Sequence, residues 1–432
     1  MIEEIPKNSN SQSVLEILMN PEYSATILKM NEEYLYWDKV KYHVPKGLKA
    51  EDFWNAVKYS RKLQAKKFNF SSCAFFLKET SFIQEALHDF DIKFSETLAS
   101  SSLLTDRNRQ YYLISSIMEE AIASSQMEGA ATTRKVAKEM LRKQAKPKDK
   151  SQQMILNNYN TIRYLSEHKK DDLTPDLLLK IHKQITEKTL ESSSDEGSFR
   201  TDDNIFVVNG ITGEVAHEPP SYKLIPKTVD ELCKFANEDK EFVHPVVKAI
   251  IIHFMISYLH PFVDGNGRTA RSLFYWYMLK KGYWLTEYLS ISRIIYKSKN
   301  QYEKAFLYTE HDEFDLGYFV HYNLKVLKQA FEELKLYLER KSKEENALLE
   351  YKIPGLNERQ IQIVKMCTQN PSAVYTCKEL ETRFNVSVKT LRSDLEGLVT
   401  SGLMTRVALN KRLTGYAKSK DFESKLEEIR EN

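Results

Sequence analysis

Twelve consecutive residues, His260-Pro261-Phe262-Val263-Asp264-Gly265-Asn266-Gly267-Arg268-Thr269-Ala270-Arg271, bring together a base, a carboxylate, two glycines and two arginines. His260 is the kind of side chain that accepts a proton at neutral pH. Gly265-Asn266-Gly267 falls between one apolar helix and the start of the next. Paired glycines let backbone N–H groups converge there, and the new helix adds the positive end of its dipole, so the turn is built to hold an anion. Arg268 and Arg271 stand three apart, so both guanidiniums project from one helix face just past that turn. Two arginines beyond an anion nest suit a ligand with more than one phosphate group. Asp264 offers an oxygen ligand beside those phosphates, an arrangement that suits Mg2+. A bare helix–turn–helix junction with a capping Asp and surface arginines calls for no such concentration. Base, metal ligand and anion hole are the parts that a displacement at phosphorus requires.

The elements that position these residues are helical. The chain has 432 residues, 42% hydrophobic and 28% charged, enough for about three domains. It carries only 13 glycines and 12 prolines, and residues 48–128 contain no proline and no glycine before Gly129 follows. Many-turned β-sandwiches, propellers and collagen-like arrays are excluded, and the expected class is mainly α. Helical patterning runs through about 51–145, including a helix over about 107–129. It resumes over about 152–168, 174–190, 222–238, 243–259 and 267–281, and continues to about 349. The one clear hairpin signal in the core is Ile205-Phe206-Val207-Val208 followed by Asn209-Gly210. His253 reads as a packed core histidine, His217 as a loop histidine within reach of that hairpin, and Phe274 to Tyr277 as helix core.

Net charge is +3 overall, too small to imply nucleic acid for the whole chain. Residues 355–420 alone carry eleven basic residues against five acids, a net +6. That stretch follows a linker at Tyr351 to Gly355 and reads as three short helices, about 357–368, 376–384 and 387–401. A small hairpin over Leu403–Tyr416 with a turn near Asn410-Lys411 completes it. Three helices and a β-wing, with Lys389 and Arg392 on the third helix, resemble a winged helix-turn-helix. Such a unit binds DNA, or serves as a basic module that docks a partner protein. The expected division is 1–100 N-terminal helical region, 101–350 core, 356–420 winged helix. The four scattered cysteines have no metal-like spacing and read as reduced thiols. The start of the chain is unlike a secretory signal, and its longest apolar run, Ala249 to Leu259, is too short to span a bilayer. A cytoplasmic protein without a membrane partner is expected.

HPFVDGNGRTAR resembles the signature of Fic-domain proteins, HPFx[D/E]GNGRxxR, with Ala270 where a glycine is frequent. Asn158-Tyr159, Gly197-Ser198-Phe199-Arg200, Pro219-Pro220, His244-Pro245 and Gln301-Tyr302 extend the resemblance over about residues 100–330. It implies a Fic-type helical core with a hairpin flap, and transfer of AMP from ATP to a hydroxyl side chain of a target protein. In that scheme His260 deprotonates the target Ser, Thr or Tyr. Asp264 holds Mg2+, the amides of Gly265, Asn266 and Gly267 meet the α-phosphate, Arg268 the β- and γ-phosphates, and Arg271 the γ-phosphate. Phe262 is a core anchor, Tyr302 lines the adenine pocket, and the flap Ile205, Phe206, Val207 and Val208 pins the target segment as an added strand. Self-association as a homodimer is common in the family.

Ser124-Ser125-Gln126-Met127-Glu128-Gly129 resembles the family's inhibitory motif [S/T]xxxE[G/N]. Its implication is that Glu128 pairs with Arg271 in place of the γ-phosphate, with Ser124 supporting the helix. On spacing alone, the same residues read as a helix ending at a C-cap glycine. Two rivals stand beside autoinhibited AMP transfer. One is a Fic enzyme that moves UMP, phosphate or phosphocholine, or that removes AMP. The other is a nucleotide-sensing transcriptional regulator, which would not need His260.

Overall fold

The computed structural model of the chain describes residues 2–6, 11–94, 106–208, 213–349, 353–410 and 413–431, with side chains outside the description at 93–94, 106–111, 341–349 and 430–431. These residues are mainly α-helical, with three small antiparallel sheets. They divide into two compact units. Met1–Ser100, Glu119–Thr132 and Lys148–Phe331 form the first, and Ser101–Met118, Thr133–Pro147 and Glu332–Asn432 the second.

The first unit is built around the helix Pro245–Leu259, whose residues are buried on every side. A helix apolar all round has to be central. It packs on its sequel, Asn266–Lys280, where Phe274 to Tyr277 are buried as expected. Lys150–Glu167 and Pro175–Thr186 pack on that second helix in turn. The latter starts with Pro175, and its N-cap Thr174 accepts a hydrogen bond from the Leu177 amide at 3.1 Å. The hairpin expected as the flap is the pair Val207–Val208 and Val215–His217, with Val208 opposite Val215. Ile205 and Phe206 precede its first strand, and Asn209-Gly210 lie outside the described residues.

Residues 11–94 contribute helices with their own core, in which Phe53 and Trp54 are fully buried. They also hold a hairpin, Lys66–Asn69 with Ala74–Leu77, within the stretch expected to be helical. Phe68 and Phe75 stack across the strands at 5.2 Å, and Glu231 accepts from the Ser71 amide and hydroxyl at 2.6 Å each. The turn has no glycine or proline; a carboxylate from a distant helix caps it, so tertiary contact decides the local structure.

In the second unit, helices Glu358–Gln369, Cys377–Phe384 and Val388–Thr400 surround a core of Cys367, Leu380, Leu391, Leu395 and Leu398. Thr376 and Ser387 are N-caps, accepting from Glu379 and Thr390 amides at 3.2 Å each. Strand Leu413–Lys418 lies between Met404–Asn410 and Val374–Tyr375. A closing helix, Phe422–Glu431, goes beyond the expected three and buries Phe422. Tyr351, Lys352 and Lys411 fall outside the described residues. No helix among the described residues is long and apolar enough to cross a membrane.

Candidate functional site

The central helix ends where His260 adopts a left-handed backbone, φ 47°, with its amide on the Ile256 carbonyl at 3.1 Å. The buried Arg200 holds this corner. Its Nε donates to the His260 carbonyl at 2.9 Å, and its backbone amide to the Pro261 carbonyl at 2.9 Å. Nδ1 of His260 lies 3.2 Å from the Ser257 carbonyl. A carbonyl only accepts, so Nδ1 carries the proton and Nε2 keeps its lone pair. Burial pushes the imidazole down to about 4, so the ring is neutral at pH 7.

The loop after His260 is closed by Asn266, whose Oδ1 accepts from the Phe262 amide at 3.0 Å and whose Nδ2 donates to the Phe262 carbonyl at 2.8 Å. Phe262 is fully buried and stacks on His182 with ring centroids 3.7 Å apart. His182 locks the loop: Nδ1 accepts from the Gly197 amide at 3.1 Å and Nε2 donates to the Asp264 carbonyl at 2.8 Å. Burial pushes this imidazole down to about 4, so it stays neutral. Gly265 has φ 84°, and a Cβ there would lie 2.8 Å from Thr186 Cγ2. His182 carries no signal in the sequence, where it sits among Leu178, Ile181 and Ile185 as any core histidine would.

At the start of Asn266–Lys280, the Arg268 side chain is fully buried. Its Nη1 donates to the Ile185 carbonyl at 3.1 Å, and its Nη2 stands 3.7 Å from Asp264 Oδ2. Nε and Nη2 have no hydrogen-bond partner among the described residues. Buried donors without acceptors are costly, and a guanidinium with two of them is shaped to receive an anion. The Asp264 side chain is half exposed, and its Oδ1 accepts from the Gly265 amide at 2.5 Å.

Arg271 is committed elsewhere. Its Nε donates to Ser124 Oγ and its Nη2 to the Ser124 carbonyl, each at 2.9 Å, and Nη2 also reaches Glu128 Oε1 at 2.8 Å. Burial pushes the Glu128 carboxyl up, but the Arg271 guanidinium outweighs it and holds the group below the usual carboxylate range. A Cβ on Gly267 would lie 2.3 Å from Glu128 Oε1. The carboxylate therefore rests against the first turn of the helix, on the ground read as an anion nest. Gly129 follows with φ 90°. The helix Asp106–Met127 that carries Ser124 is anchored by Glu120, buried, which accepts from the Ser292 amide at 2.9 Å and from the Ser292 hydroxyl. Asn158 Nδ2 donates to the Ala121 carbonyl at 3.4 Å. Glu120 carries no signal in the sequence, because its partners Ser290 and Ser292 are 170 and 172 residues away.

Tyr302 is buried with its hydroxyl 2.9 Å from Nε2 of the buried His253, among Phe306 and Phe319. On the flap, Phe206 and Val208 are exposed. His217 is not a loop histidine: it is the last residue of a flap strand, buried against Glu310 and Tyr258, partners remote in sequence. Among the described residues no three His, Cys, Asp or Glu side chains gather as a metal cluster. In the second unit, Lys389 and Arg392 are exposed on Val388–Thr400.

Residues 172–278 match the Fic/DOC family, and residues 359–408 match the DeoR-like helix-turn-helix domain. A Nematostella vectensis protein named protein adenylyltransferase Fic is 26% identical over 133 residues, 30% of this chain and 29% of that protein. The Drosophila melanogaster protein of that name is 30% identical over 115 residues, 26% of this chain and 21% of its own length. The chain thus spans between a fifth and a third of these relatives. Among solved structures, a variant of Fic-1 from C. elegans superposes with a TM-score of 0.51 at 15% identity, covering 78% of this chain and 90% of that one, a likeness of fold. The chain carries a Fic/DOC-family domain at residues 172–278 and a DeoR-like helix-turn-helix domain at residues 359–408.

Proposed function

We propose that this chain transfers AMP from ATP to a Ser, Thr or Tyr hydroxyl of a target protein, and that Glu128 restrains it. The observation that carries this reading is the pair of buried arginines, Arg268 with two unmet donors and Arg271 paired to a carboxylate of the chain itself. A site that holds Glu128 on Arg271 and Gly267 is a site for anionic oxygens. His260, neutral with Nε2 free, takes the proton of the incoming hydroxyl. The amides of Gly265, Asn266 and Gly267 meet the negative charge that builds on the α-phosphate oxygens, and the side chain of Arg268 meets the β- and γ-phosphates. Asp264, half exposed beside the Arg268 guanidinium, fits Mg2+, which takes one or two protein carboxylates and fills its remaining positions with phosphate oxygens and water. When bound there, the ion neutralises phosphate charge. The flap offers a strand edge to the target segment. Incubation of the Glu128→Gly protein with ATP labelled at the α- or the γ-phosphorus tests this reading. Label from the α-position alone is expected, and label from the γ-position would assign phosphate transfer instead.

A second reading concerns the C-terminal unit, where the DeoR-like match and the exposed Lys389 and Arg392 favour DNA as partner. A salt-dependent gel shift that disappears in the Lys389→Ala/Arg392→Ala protein is expected. Binding that ignores both residues would leave protein docking.

A further inference from the structure

His217 sits on the flap strand opposite Val207, and both its ring nitrogens face acceptors. Nδ1 is 2.7 Å from Glu310 Oε2, and Nε2 is 2.7 Å from the Tyr258 carbonyl. The side chain is 9% exposed and that of Glu310 18%. A neutral imidazole has one N–H, which would leave a lone pair facing an acceptor oxygen at hydrogen-bond distance. With Glu310 as the carboxylate, only the doubly protonated ring satisfies both contacts.

The placement matters because Tyr258 lies two residues before His260, in the turn whose Ile256 and Ser257 carbonyls hold the His260 amide and Nδ1. His217 therefore staples the end of the flap to the turn that presents His260. Arg200 makes the matching connection at the flap's base, from the His260 carbonyl to the Asp202 carbonyl at 2.6 Å, to Asp203 Oδ1 at 2.9 Å and to the Pro220 carbonyl.

We propose that His217 is a positioning residue, a cation held by Glu310 that fixes the flap strand to the His260 turn and keeps a positive charge beside the base. The proposal rests on reading His260 as the base. The titratable and charged groups facing His217 are Glu310, Arg200, His260 and Tyr258, with Cys73 next to Glu310 and Tyr258. Burial holds the Cys73 thiol and the Tyr258 phenol in their neutral forms. Glu310 is the one acid in this set, and it decides the charge of His217. Burial pushes the imidazole down, yet the Glu310 carboxylate outweighs that and raises it. The cation in turn disfavours protonation of His260.

Two experiments on the full chain test this independently of any transfer reaction. Imidazole NMR at pH 7 should show His217 doubly protonated in the unaltered protein and neutral in Glu310→Gln, a near-isosteric change. Amide exchange at Val207, Val208 and Val215 to His217 should quicken about 10-fold or more in Glu310→Gln and in His217→Gln. A neutral His217 ring in the unaltered protein, or flap exchange unmoved in both variants, would overturn the proposal. On the Glu128→Gly background, both changes should slow self-labelling from α-labelled ATP while leaving the KM for ATP unchanged. They should also move the acid limb of the kcat profile to higher pH, as loss of the cation makes His260 easier to protonate. An unmoved acid limb would overturn the electrostatic half. A background with no transfer at all would count against the proposed function, while the NMR and exchange results would still decide the placement.

Discussion

Glu128→Gln keeps the shape of the proposed brake and removes its charge. The Arg271–Glu128 contact is 2.8 Å, with the two side chains 4% and 29% exposed. Opposite charges about 4 Å apart near a protein surface attract by about 4 kcal/mol before the cost of desolvation is counted. Much of that goes to desolvating both groups, and hydrogen bonds to charged groups retain about 1.5–3 kcal/mol net. At about 1.4 kcal/mol per tenfold, releasing Arg271 should raise initial self-labelling by about 10- to 100-fold. Glu128→Gly should raise it further, because it also clears the side chain from the first turn at Gly267. Glu128→Gly also removes the acceptor at 2.8 Å from the buried Arg271, so stability of that variant should fall by about 1–3 kcal/mol while activity rises. The assay is the initial rate of label incorporation from α-labelled ATP, alongside a urea unfolding midpoint. Labelling by Glu128→Gln within twofold of the unaltered protein would refute the reasoning.

Three further outcomes follow from the packing. His182 and His260 are pushed down to about 4 and His253 and His321 to about 3, all by burial, so between about pH 6.5 and those values the unfolded chain binds more protons than the folded one. The contribution of these four histidines to stability should therefore be full above about pH 6.5 and fall as pH drops, by up to about 1.4 kcal/mol per pH unit for each, and a urea midpoint as high at pH 5 as at pH 7 would contradict this. Arg61, fully buried, donates to Asn31 Oδ1 at 2.9 Å, the Tyr318 hydroxyl at 2.7 Å and the Leu35 carbonyl at 2.8 Å, with Asp315 at 3.7 Å. Arg61→Ala takes the cation from beside that buried carboxylate, leaving it the Tyr34 hydroxyl at 2.6 Å and the Gly317 amide at 3.0 Å, and should cost about 3–5 kcal/mol by urea unfolding; a loss below about 1 kcal/mol would show that the network contributes little. Glu120→Gln should loosen the helix that carries Ser124, lowering the unfolding midpoint and raising labelling, though less than Glu128→Gln. A lowered midpoint with unchanged labelling would leave Glu120 as an anchor without influence on the brake.

What was legible in the sequence is what is local. Scarce glycine and proline give the helical class, and the motif at 260–271 is contiguous, so its residue types announce phosphate chemistry without a fold. The Thr174, Thr376 and Ser387 caps are equally local. The remainder depends on residues far apart. Glu120 meets Ser290 and Ser292, His182 reaches the Asp264 carbonyl, and His217 finds Glu310, each across more than 80 positions. The hairpin at 66–77 was hidden for the same reason, since Glu231 supplies what a turn glycine would have signalled. The Glu128–Arg271 pair stands between: the resemblance suggested it, and only packing puts the carboxylate against Gly267.

The most direct measurement is the intact mass of the Glu128→Gly protein after incubation with ATP and Mg2+. A single AMP-sized adduct that is lost in the Glu128→Gly/His260→Ala protein is the predicted result. A phosphate-sized adduct, no adduct, or one that survives loss of His260 would contradict it.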